Sequence, residues 1–162
     1  MANGECDISK ISSNAKNFII VCGYAADKLE EFLNAEILVD KTKVKLLVVN
    51  LRSSPFVSTI SQLINYEYLS IDHLGPNHSI VDIDFNTKNI LKCEYVYFGD
   101  FLIGGTEITI AKNYINFFGG QLNKAFVFGS YYKNSDNRFK HKFKFEALTT
   151  LTELIPDFKV KF

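Results

Sequence analysis

The residues best suited to chemistry lie between positions 94 and 120, in the run EYVYFGDFLIGGTEITIAKNYINFFGG. An apolar strand, the acid Asp100 near its end, the glycines Gly104 and Gly105, the hydroxyl of Thr106 and a helical pattern follow in that order. That is the order of a phosphate-binding strand–loop–helix. A helix N-terminus presents backbone N–H groups that have no partner within the helix, together with a partial positive charge, and glycines let the backbone close on an anion. Open α/β sheets bind ligands at the carboxyl ends of their strands, where this loop falls. The plainer alternative is a tight turn whose glycines only permit close packing. Arg52, ahead of Ser53, Ser54 and Pro55, is a second candidate for holding an anion. It reads equally well as a surface arginine before a helix capped by Ser54 with Pro55 at the first helical position.

Other polar residues point to less. His73 and His78 are candidate proton donors, but His141 is remote and no cysteine stands at ligand spacing, so they do not make a metal pattern. No G-x-S-x-G occurs, and Gly104-Gly105-Thr106 lacks the Gly-Lys-Ser/Thr that completes a Walker loop. In NRFKHKFKF, residues 137 to 145, phenylalanines alternate with lysines. This reads as an edge strand with its apolar face inward and its lysines outward, not as a nucleic-acid strip.

The elements that position these residues can be read from periodicity. Residues 1 to 16 are polar and form a flexible arm, and 17 to 162 form a single domain with no linker or repeat. Asn17 to Gly23 (NFIIVCG) is continuously apolar, which predicts a strand buried on both faces, followed by an amphipathic helix from Ala25 to Ala35. Val44 to Leu51 is a second strand, Phe56 to Ile64 a helix and Tyr66 to Ile71 a third strand. Ile80 to Phe85 alternates apolar with acidic residues, as a half-exposed antiparallel strand does, with a hairpin turn at 86 to 88. Glu94 to Phe98 is a strand, Gly99 to Gly105 its loop, and Thr106 to Phe118 a helix closed by Gly119-Gly120. Ala125 to Tyr131 is the next strand. Strands alternating with helices predict an α/β fold with a mainly parallel sheet flanked by helices and a small antiparallel hairpin or hood.

Composition narrows the function classes. Of 162 residues, 47% are hydrophobic and 22% charged, which is globular and not disordered composition. Eighteen basic residues balance eighteen acidic ones, so no global field draws nucleic acid or an anionic membrane, and any anion must be held locally. The three cysteines include no close pair, which suits a reducing cytoplasm. No charged-then-apolar leader or run of about 18 apolar residues appears, so neither export nor a membrane span is expected.

The run from Asp100 to Ile108 (DFLIGGTEI) resembles the phosphoribosyl pyrophosphate motif of type I phosphoribosyltransferases, and the orotate branch in particular. There a loop of the form Thr-Ala-Gly-Thr-Ala-Ile aligns with Ile103-Gly104-Gly105-Thr106-Glu107-Ile108 without a gap. Leu46 to Pro55 (LLVVNLRSSP) resembles the family's strand and pyrophosphate loop, and Phe145 to Ile155 (FEALTTLTELI) is similar to the orotate-branch ending, or to an ordinary amphipathic helix. The resemblance spans residues 44 to 155.

It implies a protein that binds phosphoribosyl pyrophosphate with Mg²⁺, or a nucleoside 5′-monophosphate, and transfers ribose 5-phosphate to a nucleobase. In such chemistry the protein positions the leaving group and stabilises its charge. Gly99, Ile103, Gly104, Gly105, Thr106 and Glu107 would line the 5′-phosphate site. Asp100 would hold a ribose hydroxyl or the metal, Arg52, Ser53 and Ser54 the pyrophosphate, and His73 would donate a proton. A homodimer or protein partner is also implied. Gly99 stands where the family has the first of two acids, which keeps open a second reading as an inactive nucleotide sensor or interaction module.

Overall fold

A computed structural model describes residues 13–35, 41–49, 53–71, 93–133 and 142–150. Within them, five strands form one sheet: β1 (Val44–Val48), β2 (Glu67–Ser70), β3 (Glu94–Leu102), β4 (Gln121–Ser130) and β5 (Lys144–Thr150). Their spatial order is β2-β1-β3-β4-β5, and every pairing is parallel. Three helices accompany them: α1 (Ala15–Asn34), α2 (Ser54–Ile64) and α3 (Thr106–Phe117). The expected parallel α/β fold is therefore present. The expected hairpin at 80 to 88 lies outside the described residues, as does most of the N-terminal arm.

Both faces of the sheet are covered at its centre, which is why β1 and most of β3 and β4 are buried on both faces, whereas the edge strands β2 and β5 are not. Val96, Phe98, Phe126 and Phe128 point to one side and pack with Leu29, Phe32 and Leu33 of α1 and with Phe56, Val57 and Ile60 of α2. Tyr95, Tyr97, Ala125 and Val127 point to the other side and pack with Ile108, Ala111 and Ile115 of α3. On the first side Phe56 and Phe98 each meet Phe128 edge-on, at centroid distances of 4.9 and 5.4 Å. Among the described residues, no helix is long and apolar enough to cross a membrane.

One element differs from expectation. Asn17 to Gly23 is not a strand but the first half of α1, so the helix expected from Ala25 begins ten residues earlier, at Ala15. The Asn14 side chain starts it by accepting the Asn17 N–H at 3.1 Å. Cys22, Ala25, Ala26, Leu29 and Leu33 share one buried face, whereas Ile19 and Ile20 are 66% and 59% exposed. A short apolar run carries no period of its own, and here it extends an amphipathic helix instead of entering the sheet.

Smaller differences concern element ends. β3 runs four residues past Phe98, because β4 is long enough to pair with it through Gly99↔Val127, Phe101↔Gly129 and Leu102↔Ser130. The loop before α3 is correspondingly short, at 103 to 105. β4 begins at Gln121, ahead of Ala125. At the C-terminal side, residues 145 to 150 are strand, not the start of an amphipathic helix, and the rest of that segment lies outside the described residues. The alternation expected for the edge strand does hold at 142 to 145, where Phe143 and Phe145 are buried and Lys142 and Lys144 exposed.

Helix α3 ends as Gly119 predicts. Gly119 adopts φ 85°, its N–H bonds to Asn116 O at 3.0 Å, and the Gly120 N–H bonds to Ile115 O at 3.1 Å. This paired closure turns the chain back into β4.

Candidate functional site

Strand order locates the crevice. From β1 the chain passes through α2 to β2 in one direction along the sheet; from β3 it passes through α3 to β4 in the other, with α2 and α3 on opposite faces. β1 and β3 are neighbours, so the connections from their carboxyl ends lead in opposite directions, and this switch point is where open α/β sheets have their ligand cleft. Of the two segments singled out from sequence, the described parts, 53 to 55 at the start of α2 and 99 to 106 at the end of β3 and the start of α3, lie at that edge.

At the β3 end, Gly105 is the N-cap of α3 and sits in the left-handed region at φ 71°, where a side chain is strained. The first bonds of the helix run from Thr109 to Gly105 O, 3.0 Å from its N–H and 2.8 Å from its hydroxyl. No side chain caps α3. The N–H groups of Thr106, Glu107 and Ile108 therefore precede the helical ladder and are available to an anion. Gly104, Thr106 and Glu107 are exposed, Ile103 is half-buried, and a Cβ added at Gly104 would meet only the Thr106 hydroxyl at 3.7 Å.

At the β1 end, α2 begins at Ser54 with Ser53 as its N-cap, one residue before the expected cap, and Pro55 lies in its first turn. The Ser53 side chain makes no capping bond. Its hydroxyl is fully buried and has no hydrogen-bond partner among the described residues, an arrangement that costs about 1–3 kcal/mol until a partner arrives. Ser54 is half-buried. Arg52 and His73, the candidate cation and proton donor, lie outside the described residues.

Gly99 and Asp100 belong to β3 itself. Asp100 is half-buried, and its Oδ1 accepts the Phe101 N–H at 2.9 Å. Gly99 has a specific steric reason to be glycine. A Cβ there would come within 2.5 Å of Tyr97 Cε1 and 2.8 Å of Tyr97 Oη, because the Tyr97 ring lies along the face that a side chain at 99 would occupy. The Tyr97 hydroxyl donates to Glu107 Oε1 at 2.8 Å and so ties β3 to the first turn of α3. Burial, the Glu107 carboxylate and Asp100 push the phenol far above its usual range, so it remains a donor at all ordinary pH. Sequence reasoning did not single out Tyr97. The available signal was a tyrosine two residues before a strand glycine, on the same face.

The implied Mg²⁺ can be tested against these residues. Among the described residues no group of three or more His, Cys, Asp or Glu side chains could hold a metal. Asp100 is a half-buried carboxylate near the carboxyl end of β3, and Mg²⁺ is commonly held by one or two carboxylates plus substrate phosphates. The donor set thus fits a magnesium ion that arrives chelated by a pyrophosphate, and does not form a cage built by the protein.

No family model matches the sequence, and no curated protein matches it in sequence. Solved structures do match in fold. Orotate phosphoribosyltransferase from Aeropyrum pernix superimposes with a TM-score of 0.68 at 13% identity, over 96% of this chain and 86% of that one. UMP synthase from Leishmania donovani gives 0.66 at 14% identity, over 96% of this chain and 33% of that larger one. Adenine phosphoribosyltransferase from Thermoanaerobacter pseudethanolicus gives 0.61 at 15%, over 90% and 87%. Agreement over nine-tenths or more of this chain, at identities too low to carry residue roles, leaves one conclusion: the chain has the type I phosphoribosyltransferase fold.

Proposed function

We propose that this chain binds phosphoribosyl pyrophosphate with Mg²⁺, or a nucleoside 5′-monophosphate, in the cleft between the carboxyl ends of β1 and β3, and transfers ribose 5-phosphate to a nucleobase. The observation that carries this reading is the pair of helix N-termini at the cleft, α2 and α3, neither capped by a side chain. By contrast α1 is capped by Asn14. In this reading the N–H groups at Thr106 and Glu107, with Gly104 and Gly105 giving the anion close access, hold the 5′-phosphate. The buried Ser53 hydroxyl gains its partner from the pyrophosphate, alongside Arg52 and Ser54. Asp100 holds a ribose hydroxyl or the ion, and His73 protonates the leaving group. The bound Mg²⁺ would neutralise charge developing on the departing pyrophosphate.

A second reading is favoured by one observation. The Tyr97 ring fills the place of a side chain at 99, so Asp100 has no second acid directly before it, as suits a nucleotide-binding module that does not catalyse transfer.

Calorimetric titration with phosphoribosyl pyrophosphate and Mg²⁺, and with a panel of nucleoside monophosphates, tests binding. Micromolar affinity is expected, and no heat with any of them overturns the proposal. Pyrophosphate release in the presence of nucleobases then separates the two readings. For an enzyme, Asp100→Asn abolishes release while phosphate affinity stays within about two-fold; a binding module shows no release before or after the substitution.

A further inference from the structure

We propose that Tyr97 is a positioning residue that holds the Glu107 carboxylate away from the anion-binding start of α3, and that Gly99 exists to make room for it. The inference rests on the phosphate-binding reading of that helix start.

Glu107 is the second residue of α3 and is solvent-exposed. A carboxylate in the first turn of a helix is attracted to the same unpaired N–H groups and the same partial positive charge that attract a phosphate. Left to itself, this side chain would be a built-in competitor for the cradle formed by Gly104, Gly105 and Thr106. Instead its Oε1 accepts a 2.8 Å hydrogen bond from Tyr97, ten residues back on β3 and below the loop.

The phenol cannot relax toward the cleft. Tyr97 is only 3% exposed, and its ring is packed among the α3-facing apolar residues. Its position depends on residue 99: a Cβ there would approach three ring or hydroxyl atoms to 2.5–2.9 Å, so any residue other than glycine displaces the ring and with it the hydrogen bond. The tyrosine, the glycine and the glutamate thus form one device, in which the space a side chain at 99 would fill serves to clear the anion site.

The test is calorimetric titration of the full chain with ribose 5-phosphate, in the wild type, Tyr97→Phe, Glu107→Gln and the double variant. With the tether cut, Tyr97→Phe weakens binding about five-fold, the scale of a carboxylate contending for a helix N-terminus. Glu107→Gln removes a nearby negative charge and tightens binding up to about two-fold. The double variant recovers the affinity of Glu107→Gln alone, because there is no longer a carboxylate to restrain.

A merely structural role for Tyr97 gives a different result: the loss caused by Tyr97→Phe persists undiminished in the Glu107→Gln background, and that overturns the proposal. Unchanged affinity in Tyr97→Phe overturns it as well. Should Tyr97→Phe fail to fold, Gly99→Ala displaces the ring instead, and rescue of its affinity by Glu107→Gln is the same criterion. If the wild type does not bind ribose 5-phosphate, the phosphate site itself is refuted and this inference falls with it. Wild-type binding without rescue refutes the inference alone.

Discussion

Gly105 shows how much of the site depends on the conformation of one residue. Its φ of 71° lets the chain turn from β3 into α3 with no side chain capping the helix. A side chain in the left-handed region costs about 1–2 kcal/mol, and one of leucine size would also occupy the cradle. Gly105→Leu is therefore expected to lower stability by that amount and to abolish ribose 5-phosphate binding, as read by urea unfolding and titration on the same sample. Unchanged affinity would mean that the loop is a turn and nothing more. Gly99 is glycine for a different reason, since what excludes a side chain there is the ring of Tyr97. The two glycines look alike in sequence, but one supplies a backbone angle and the other supplies space.

Helix α1 carries the element-scale argument. Its apolar N-terminal half satisfies the criteria for a buried strand when read alone, and only the face shared by Cys22, Ala25, Ala26, Leu29 and Leu33 marks it as a helix. The two assignments make opposite predictions for Ile20. In a strand buried on both faces a lysine there would be ruinous; on the exposed side of a helix it changes stability by no more than about 0.5 kcal/mol. Leu29→Ala, on the buried side, is expected to cost about 2–5 kcal/mol. Denaturant midpoints of Ile20→Lys and Leu29→Ala decide between them, and a collapse of Ile20→Lys would contradict the helix.

At the scale of the whole molecule, the sheet separates stability from binding by its two ends. Glu94, at the start of β3, lies 3.7 Å from the buried Lys124 ammonium at the amino edge, far along the strand from the cleft. Glu94→Gln removes the negative charge beside that ammonium and is expected to lower stability by about 1 kcal/mol. A ligand at the carboxyl edge stabilises by mass action, about 2.7 kcal/mol at one hundred times its Kd, or roughly 5–10 °C in Tm for a chain of this size. Glu94→Gln should lower the baseline Tm and leave the increment from phosphoribosyl pyrophosphate intact. If the increment disappears with Glu94, the ligand does not sit where the switch in strand order places the cleft.

Periodicity and glycine placement by themselves determined the parallel α/β class, the approximate positions of β1, α2, β2, β3 and α3, and the segment from 99 to 106 as a candidate phosphate site. These are local properties, set by which residues can bury both faces of a strand and which can turn the chain without a steric penalty. Tertiary structure decided the rest. The helical state of residues 17 to 23 depends on what packs against Cys22 and Ala26, and the extension of β3 through Leu102 depends on the length of its partner β4. The pairing of Tyr97 with Glu107 joins residues from two elements and becomes visible only when β3 and α3 are folded against each other. The reason is common to all three: a strand edge, a helix face or a hydrogen bond takes its meaning from a partner distant in sequence, and no local pattern names that partner.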